Sequence, residues 1–171
     1  FHKYLKRPWS EDPWQVRLLE LAGYAGLPVR VVDGKAALRA ESLLVPGRAV
    51  VAHGWAHPQA VEVWDRVGSS PALDRGVGHG GPAKVFLSRA GHNQARREAG
   101  HRSGGRSTPE WDVAVDRAFA DAGFTVARPE ELTVDEQLAL VAGAGVLAGA
   151  SGSALHLSAF APAPVRVLEI G

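Results

Sequence analysis

Apolar residues along the 171-residue chain recur first at helical spacing, then in short runs, and the change of interval marks helices off from strands. Over 13–25, Trp14, Leu18, Leu21 and Ala22 fall on one helical face, with Ser10 and Pro13 as start signals. Residues 29–32 and 38–45 read as short strands separated by the Asp33-Gly34 turn, and 56–67 as a second amphipathic helix. The turn Gly68-Ser69-Ser70-Pro71 ends that helix and opens a looser segment reaching Pro82.

From Lys84 the alternation becomes regular. Strands are predicted at 85–87, 124–127, 146–148 and 165–170, and helices at 109–122, 134–142 and 153–160. The polar, Gly-rich stretch 90–108 is predicted as a loop. Strands alternating with single helices imply right-handed crossovers, hence an α/β fold: a Rossmann-like, mainly parallel sheet with flanking helices. Two regions are expected, a looser α/β segment over 1–82 and the Rossmann-like domain over 83–171. In such sheets ligands lie outside the carboxyl ends of the strands, where 88–108 and 150–153 fall.

The sharpest local chemistry is at Gly149-Ala150-Ser151-Gly152-Ser153, which follows an apolar strand and precedes a predicted helix. A strand delivered into a small-residue turn and a helix start leaves outward N–H groups and partial positive charge, which suits a phosphate. Ser153 either caps its helix or binds that phosphate through its hydroxyl. Arg89 ends a strand, and Arg102 and Arg106 lie in the loop after it. A guanidinium fork matches phosphate oxygens and a diphosphate leaving group. For Arg96, Arg97 and Arg102 plain solvation is the simpler reading.

Composition narrows the alternatives. A net charge of +1 gives no case for nucleic acid or an anionic membrane surface as partner. The absence of cysteine excludes disulfides, thiolate zinc sites and a cysteine nucleophile. No apolar run approaches the roughly 18–20 residues of a membrane span, and no signal peptide is visible, so a cytoplasmic location is expected. The chain lacks methionine and begins at Phe1, as a piece of a longer protein would.

VFLSR at 85–89, then Arg106 and Glu110, DAGFTV at 121–126, PEELTVDEQLALVAGAGVLAGASGSAL at 129–155, Phe160 and VLEI at 167–170 resemble glycosyltransferase family 61. This is a capsular-polysaccharide-biosynthesis type of enzyme. The resemblance runs from Lys84 to the end, and more loosely upstream through WQVRLLELAG at 14–23 and LLVPG at 43–47. It implies a two-lobed GT-B-type enzyme of which this chain is mostly the C-terminal, donor-binding lobe, with the acceptor lobe upstream. The implied activity is inverting transfer of a sugar from a nucleotide-sugar donor to a glycan or polysaccharide acceptor.

The resemblance also assigns residues. Arg89, Arg106, Ser151, Gly152 and Ser153 would bind the donor, and Gln137, from the family's Glu-Gln pair, would face the ligand or support it. Glu110 anchors Arg106 or contacts the donor, or else it caps its own helix after Ser107-Thr108-Pro109. Thr133 to Glu136 has the pattern of a capping box. Glu169 either accepts from ribose hydroxyls or is a solvated strand-end carboxylate. His156 is a candidate base or phosphate ligand, with a packed helix histidine as the alternative; Glu110 and His156 are thus the catalytic candidates. Three positions differ from the family's habit: Ser151 in place of His, Leu157 in place of Asn or His, and Pro109 in place of Asn.

No Asp-x-Asp pair is present to hold a metal on a nucleotide diphosphate, so metal-independent transfer without a cofactor is expected. His53 and His57 are four apart, but Gly54 and Pro58 spoil a helix there and no carboxylate completes a zinc set. His79, His92 and His101 read as loop residues. Two other readings stand beside the transferase. The Ser151 and Leu157 differences suit a non-catalytic lobe that binds a nucleotide or glycan. Gly149 to Ser153 also resembles the nucleophile elbow of a serine hydrolase, yet Ser153 takes the second glycine's place and no histidine follows His156.

Overall fold

Val85, Phe86 and Leu87 are almost completely buried, as befits an apolar run with a strand on either side and helices on both faces. This run belongs to β3 in a computed structural model that describes residues 13–26, 39, 41–42, 49–51, 55–74, 81–100 and 107–171. In chain order the elements are α1 (Pro13–Leu21), β1 (Val50–Val51), β2 (Trp55–Ala56), α2 (Pro58–Gly68), β3 (Lys84–Leu87), α3 (Ala90–Glu98) and α4 (Pro109–Asp121). They continue as β4 (Thr125–Ala127), a short 3-10 turn (Pro129–Glu131), α5 (Val134–Ala142), β5 (Val146–Ala150), a 3-10 helix (Ser153–Phe160) and β6 (Arg166–Ile170).

β1 and β2 form an antiparallel pair. The other four strands make one sheet in the order β4-β3-β5-β6, with every neighbour parallel. The α/β reading of the sequence is therefore the observed architecture. Of the strands predicted upstream, 29–32 lies outside the described residues. Within 38–45 only residues 39, 41 and 42 are described, and none of them is in a strand.

Each face of the sheet has its own packing. On one side Val85, Leu87 and Leu147 meet Val141 of α5 and Leu155 of the 3-10 helix. On the other, Phe86 stacks on Phe119 of α4 with ring centroids 4.0 Å apart. α5 also closes a second cluster, in which Leu138 packs with Leu21, Ala22, Val67 and Leu73, flanked by Phe160. Leu138 and Val141, about one turn apart, thus tie α1 and α2 to the layer that covers the sheet. Gly68 makes this possible: a Cβ there would run into the carbonyl of Phe160. Arg17 locks the same junction, its Nε donating to Asp135 Oδ1 at 2.8 Å and an NH2 to Oδ2 at 2.7 Å, while Asp74 N donates to Oδ2 at 3.1 Å.

Local signals set the helix starts. Thr108 Oγ1 accepts from Trp111 N at 3.3 Å. At α5 the capping box is complete, with Glu136 N donating to Thr133 Oγ1 at 3.2 Å and Thr133 N to Glu136 Oε2 at 2.7 Å. After β3, two predicted segments take another form. The start of the predicted 90–108 loop is a helix, α3, whose inward face is polar and so shows no apolar period: Asn93 is buried and Arg97 half-buried. Residues 153–160 form a 3-10 helix rather than an α-helix, with Leu155 N donating to Gly152 O at 3.2 Å.

Candidate active site at the switch point of the sheet

The strand order places the site. The chain leaves β3, returns as β4 on one side, then crosses to β5 and β6 on the other, so the winding reverses between β3 and β5. At such a reversal the loops beyond the two carboxyl ends part and leave a crevice. Ser88 and Arg89 follow β3 directly, and Ser151, Gly152 and Ser153 follow β5. The two segments that carried the phosphate expectation are thereby brought together.

A cavity of about 420 Å³ opens there, lined among others by Arg89, His92, Glu130, Gln137, Ser153 and His156. Arg89 is half-buried, and its Nε is buried without a hydrogen-bond partner. No carboxylate among the described residues forms an ion pair with it. A guanidinium partly withdrawn from water, with no counter-charge among the described residues, suits an anion, which would restore the lost hydrogen bonds and charge balance together. Gly152, at φ +155°, lies against this guanidinium so closely that a Cβ would strike an Arg89 terminal nitrogen. The backbone N–H of Ser151 is taken by Ile170 O at 3.0 Å. Those of Gly152, Ser153 and Ala154 find no acceptor among the described residues. The anion-directed donors of the turn therefore begin one residue later than its first serine.

The remaining side chains are held from behind. Gln137 Nε2 donates to Pro129 O at 2.9 Å and to Leu132 O at 3.0 Å, so its amide braces the turn after β4 and keeps only its carbonyl oxygen for a ligand. Ser88 Oγ accepts from Ala90 N at 3.1 Å and steadies the start of α3. Glu130 is exposed at the cavity wall, and its carboxylate occupies the space that a side chain at Gly91 would need. His156 is exposed on the 3-10 helix.

The structure thus assembles Arg89, Gln137, Gly152, Ser153 and His156 in one place. Ser151 lies on the other side of Arg89, in a second cavity of about 230 Å³ with no histidine among its lining residues. Glu110 lines neither cavity. It is exposed on the first turn of α4, where its own backbone N–H and the Thr108 hydroxyl hold its carboxyl below the usual carboxylate range. Glu169 is exposed on β6 opposite Gly149, and it too lines neither cavity. Arg102 and Arg106, with His53, His79 and His101, lie outside the described residues.

Sequence reasoning missed two lining residues. His92 is three residues beyond Arg89, so both point to one side of a helix once 90–98 is known to be helical. Glu130 had no signal, because its place depends on the turn after β4 meeting α3. Arg97 also departs from the solvated reading: it is half-buried and pairs with Asp112 at 3.3 Å. His57 caps α2, its Nδ1 accepting from Gln59 N at 3.3 Å. No cluster of three or more metal-ligating side chains occurs among the described residues. No helix among them is long and apolar enough to cross a membrane.

Fold and site together define a parallel α/β protein with an anion-suited crevice at its topological switch point. The chain belongs to glycosyltransferase family 61: the family's model, described as glycosyltransferase 61, matches residues 3–168. Neither the curated proteins nor the solved structures provide a match.

Proposed function

We propose that this chain carries the donor site of an inverting, metal-independent glycosyltransferase that uses a nucleotide sugar, as part of a GT-B-type enzyme of polysaccharide or glycan assembly. One observation carries the reading: in a family 61 chain, the uncompensated Arg89 guanidinium abuts the Gly152 turn where β3 and β5 part. The diphosphate sits on Arg89 and on the N–H groups of Gly152, Ser153 and Ala154. An acceptor hydroxyl attacks the anomeric carbon from the side opposite the diphosphate. The new C–O bond forms as the bond to the diphosphate breaks, and the hydroxyl proton passes to a base in the cavity. The negative charge that grows on the departing diphosphate is met by fixed donors, where charge stabilisation contributes most to rate. His156 is the proposed base, with Glu130 and His92 the other proton acceptors that share its cavity.

Calorimetry with UDP-, GDP- and CMP-sugars, followed by a transfer assay on the full-length protein, tests this. Saturable binding lost in Arg89→Ala, with turnover of the bound donor, is the expected result. Binding without turnover in the full-length protein would assign the chain to a non-catalytic nucleotide-binding lobe, the reading that Ser151 at the turn favours. No response to any nucleotide at millimolar concentration would remove both.

A further inference from the structure

We propose that the acceptor is an uncharged or amino-bearing saccharide, seated on Trp14 in an acidic groove that turns anionic glycans away. This deepens the acceptor half of the reading above and rests on it. A further cavity, of about 1000 Å³, adjoins the one beside Arg89. Trp14, Pro129, Glu130, Val134 and Gln137 line both, so the two form one groove that runs from the anion-suited end toward α1. An acceptor needs that layout, because it brings one hydroxyl to the point of transfer and keeps its other rings outside.

Trp14 marks where those rings lie. It is 53% exposed in the first turn of α1 and belongs to neither core cluster. An indole at a cavity wall that the core does not use is apolar surface open to a ligand. The C–H face of a pyranose ring matches it, while the hydroxyls around that ring call for acceptors at the rim. The neighbouring carboxylates are such acceptors, and hydrogen bonds to them are of the stronger, charge-assisted kind. The volume suits a ligand of more than one ring.

Charge decides which saccharide fits. Asp74, Glu130, Asp135 and Glu136 line the larger cavity against a single cation, Arg17, so negative charge exceeds positive by three. Arg17 is already engaged, with Asp135 at 2.7 Å and with Glu20 at 3.0 Å. Glu130 is exposed and has no ion-pair partner among the described residues. Arg17 and the Thr133 backbone N–H hold the Asp135 and Glu136 carboxyls below their usual range, so both are charged at neutral pH. A uronate or sulfated ring entering here meets like charge, whereas a neutral or amino-bearing ring meets only acceptors. The groove is therefore cationic where the diphosphate is proposed to sit and anionic beyond it, which keeps an anionic donor from binding in the acceptor's place.

The test titrates the full-length protein with four trisaccharides, those of glucose, N-acetylglucosamine, glucosamine and galacturonic acid. It uses wild type, Trp14→Ala, Trp14→Phe and the double variant Glu130→Gln with Glu136→Gln. At least one of the first three is expected to bind about tenfold more tightly than trigalacturonate. Trp14→Ala weakens that saccharide about tenfold, and Trp14→Phe retains most of the affinity. The double variant narrows the gap to trigalacturonate, and since glutamine also completes a capping box, α5 keeps its start. Trigalacturonate that binds as tightly as the others overturns the proposal, as does the failure of all four saccharides. Unchanged affinity in Trp14→Ala, or an unchanged gap in the double variant, overturns it too. If nucleotide sugars still bind in any of these cases, the donor reading survives and only the acceptor assignment is lost. Saccharide binding in the expected order, with no response to any nucleotide, instead removes the transferase reading and leaves the groove as a glycan-binding site.

Discussion

Two arginines eight residues apart frame α3. Arg97, in its last turn, donates to Ser107 O at 3.1 Å and to Asp112 Oδ2 at 3.3 and 3.4 Å. Asp112 in turn accepts from Asn93 Nδ2 and from the Ser107 hydroxyl, which joins α3 to the start of α4. Arg89, which precedes the first turn, makes no comparable bond among the described residues, and its Nε is buried unpaired. Both side chains are half-buried, so exposure does not separate them. What separates them is compensation. A cation wired to a carboxylate contributes to the fold, whereas one left uncompensated is maintained against its desolvation cost and suits an anion that arrives from solution.

That contrast can be broken from either end. The largest effect is expected for Arg89→Ala: transfer falls about 10²–10³-fold, as when one preorganised donor to a developing anion is removed. Its thermal stability should stay within about 0.5 kcal/mol of wild type, because no internal bond is lost. Arg97→Ala should do the reverse, costing about 2–3 kcal/mol in denaturant melts by stranding Asp112, with donor binding largely retained. If Arg97→Ala left stability untouched and abolished binding, the assignment of the two arginines would be inverted.

Gly152→Ala sharpens the comparison from the other partner. The added methyl displaces the Arg89 guanidinium and meets a backbone at φ +155°, so donor affinity should drop about tenfold in calorimetry, with about 1–3 kcal/mol of strain in the melt. Thr133→Ala removes the cap of α5 at a residue that does not line the Arg89 cavity, and should cost about 1 kcal/mol in stability without changing affinity.

The smallest effect is a pH dependence. Arg17 holds the Asp135 carboxyl below its usual range, and the Thr133 backbone N–H does the same for Glu136. Groups with lowered folded-state values add stability above their unfolded values of about 4, and lose it as the pH falls through the folded ones. Melting temperature should be level down to about pH 5 and decline below about pH 4. Arg17→Gln should flatten the part due to Asp135.

Much of this was legible before any coordinates. The strands at 124–127, 146–148 and 165–170 have their observed counterparts, as do the helix start at Ser107-Thr108-Pro109 and the capping box at Thr133, because each depends on residues within a few positions. α3 was not legible, since a helix that turns Asn93 and Arg97 inward looks in sequence like a solvated loop. Nor was the placement of Glu110: a carboxylate just after Pro109 reads equally as a cap and as a ligand contact, and only the direction in which α4 leaves the sheet decides between them.

The residues alone determined the α/β order, the small-residue turn after β5 and the arginine after β3, because backbone preference and periodicity are properties of neighbours. The tertiary structure decided that β3 and β5 lie side by side where the winding reverses. That arrangement sets Arg89 against Gly152, draws His92 and Glu130 into the same cavity, and leaves Glu110 and Glu169 outside it. A cavity is made by segments distant in sequence, and which of them meet depends on the order of strands in the sheet, which no local pattern encodes.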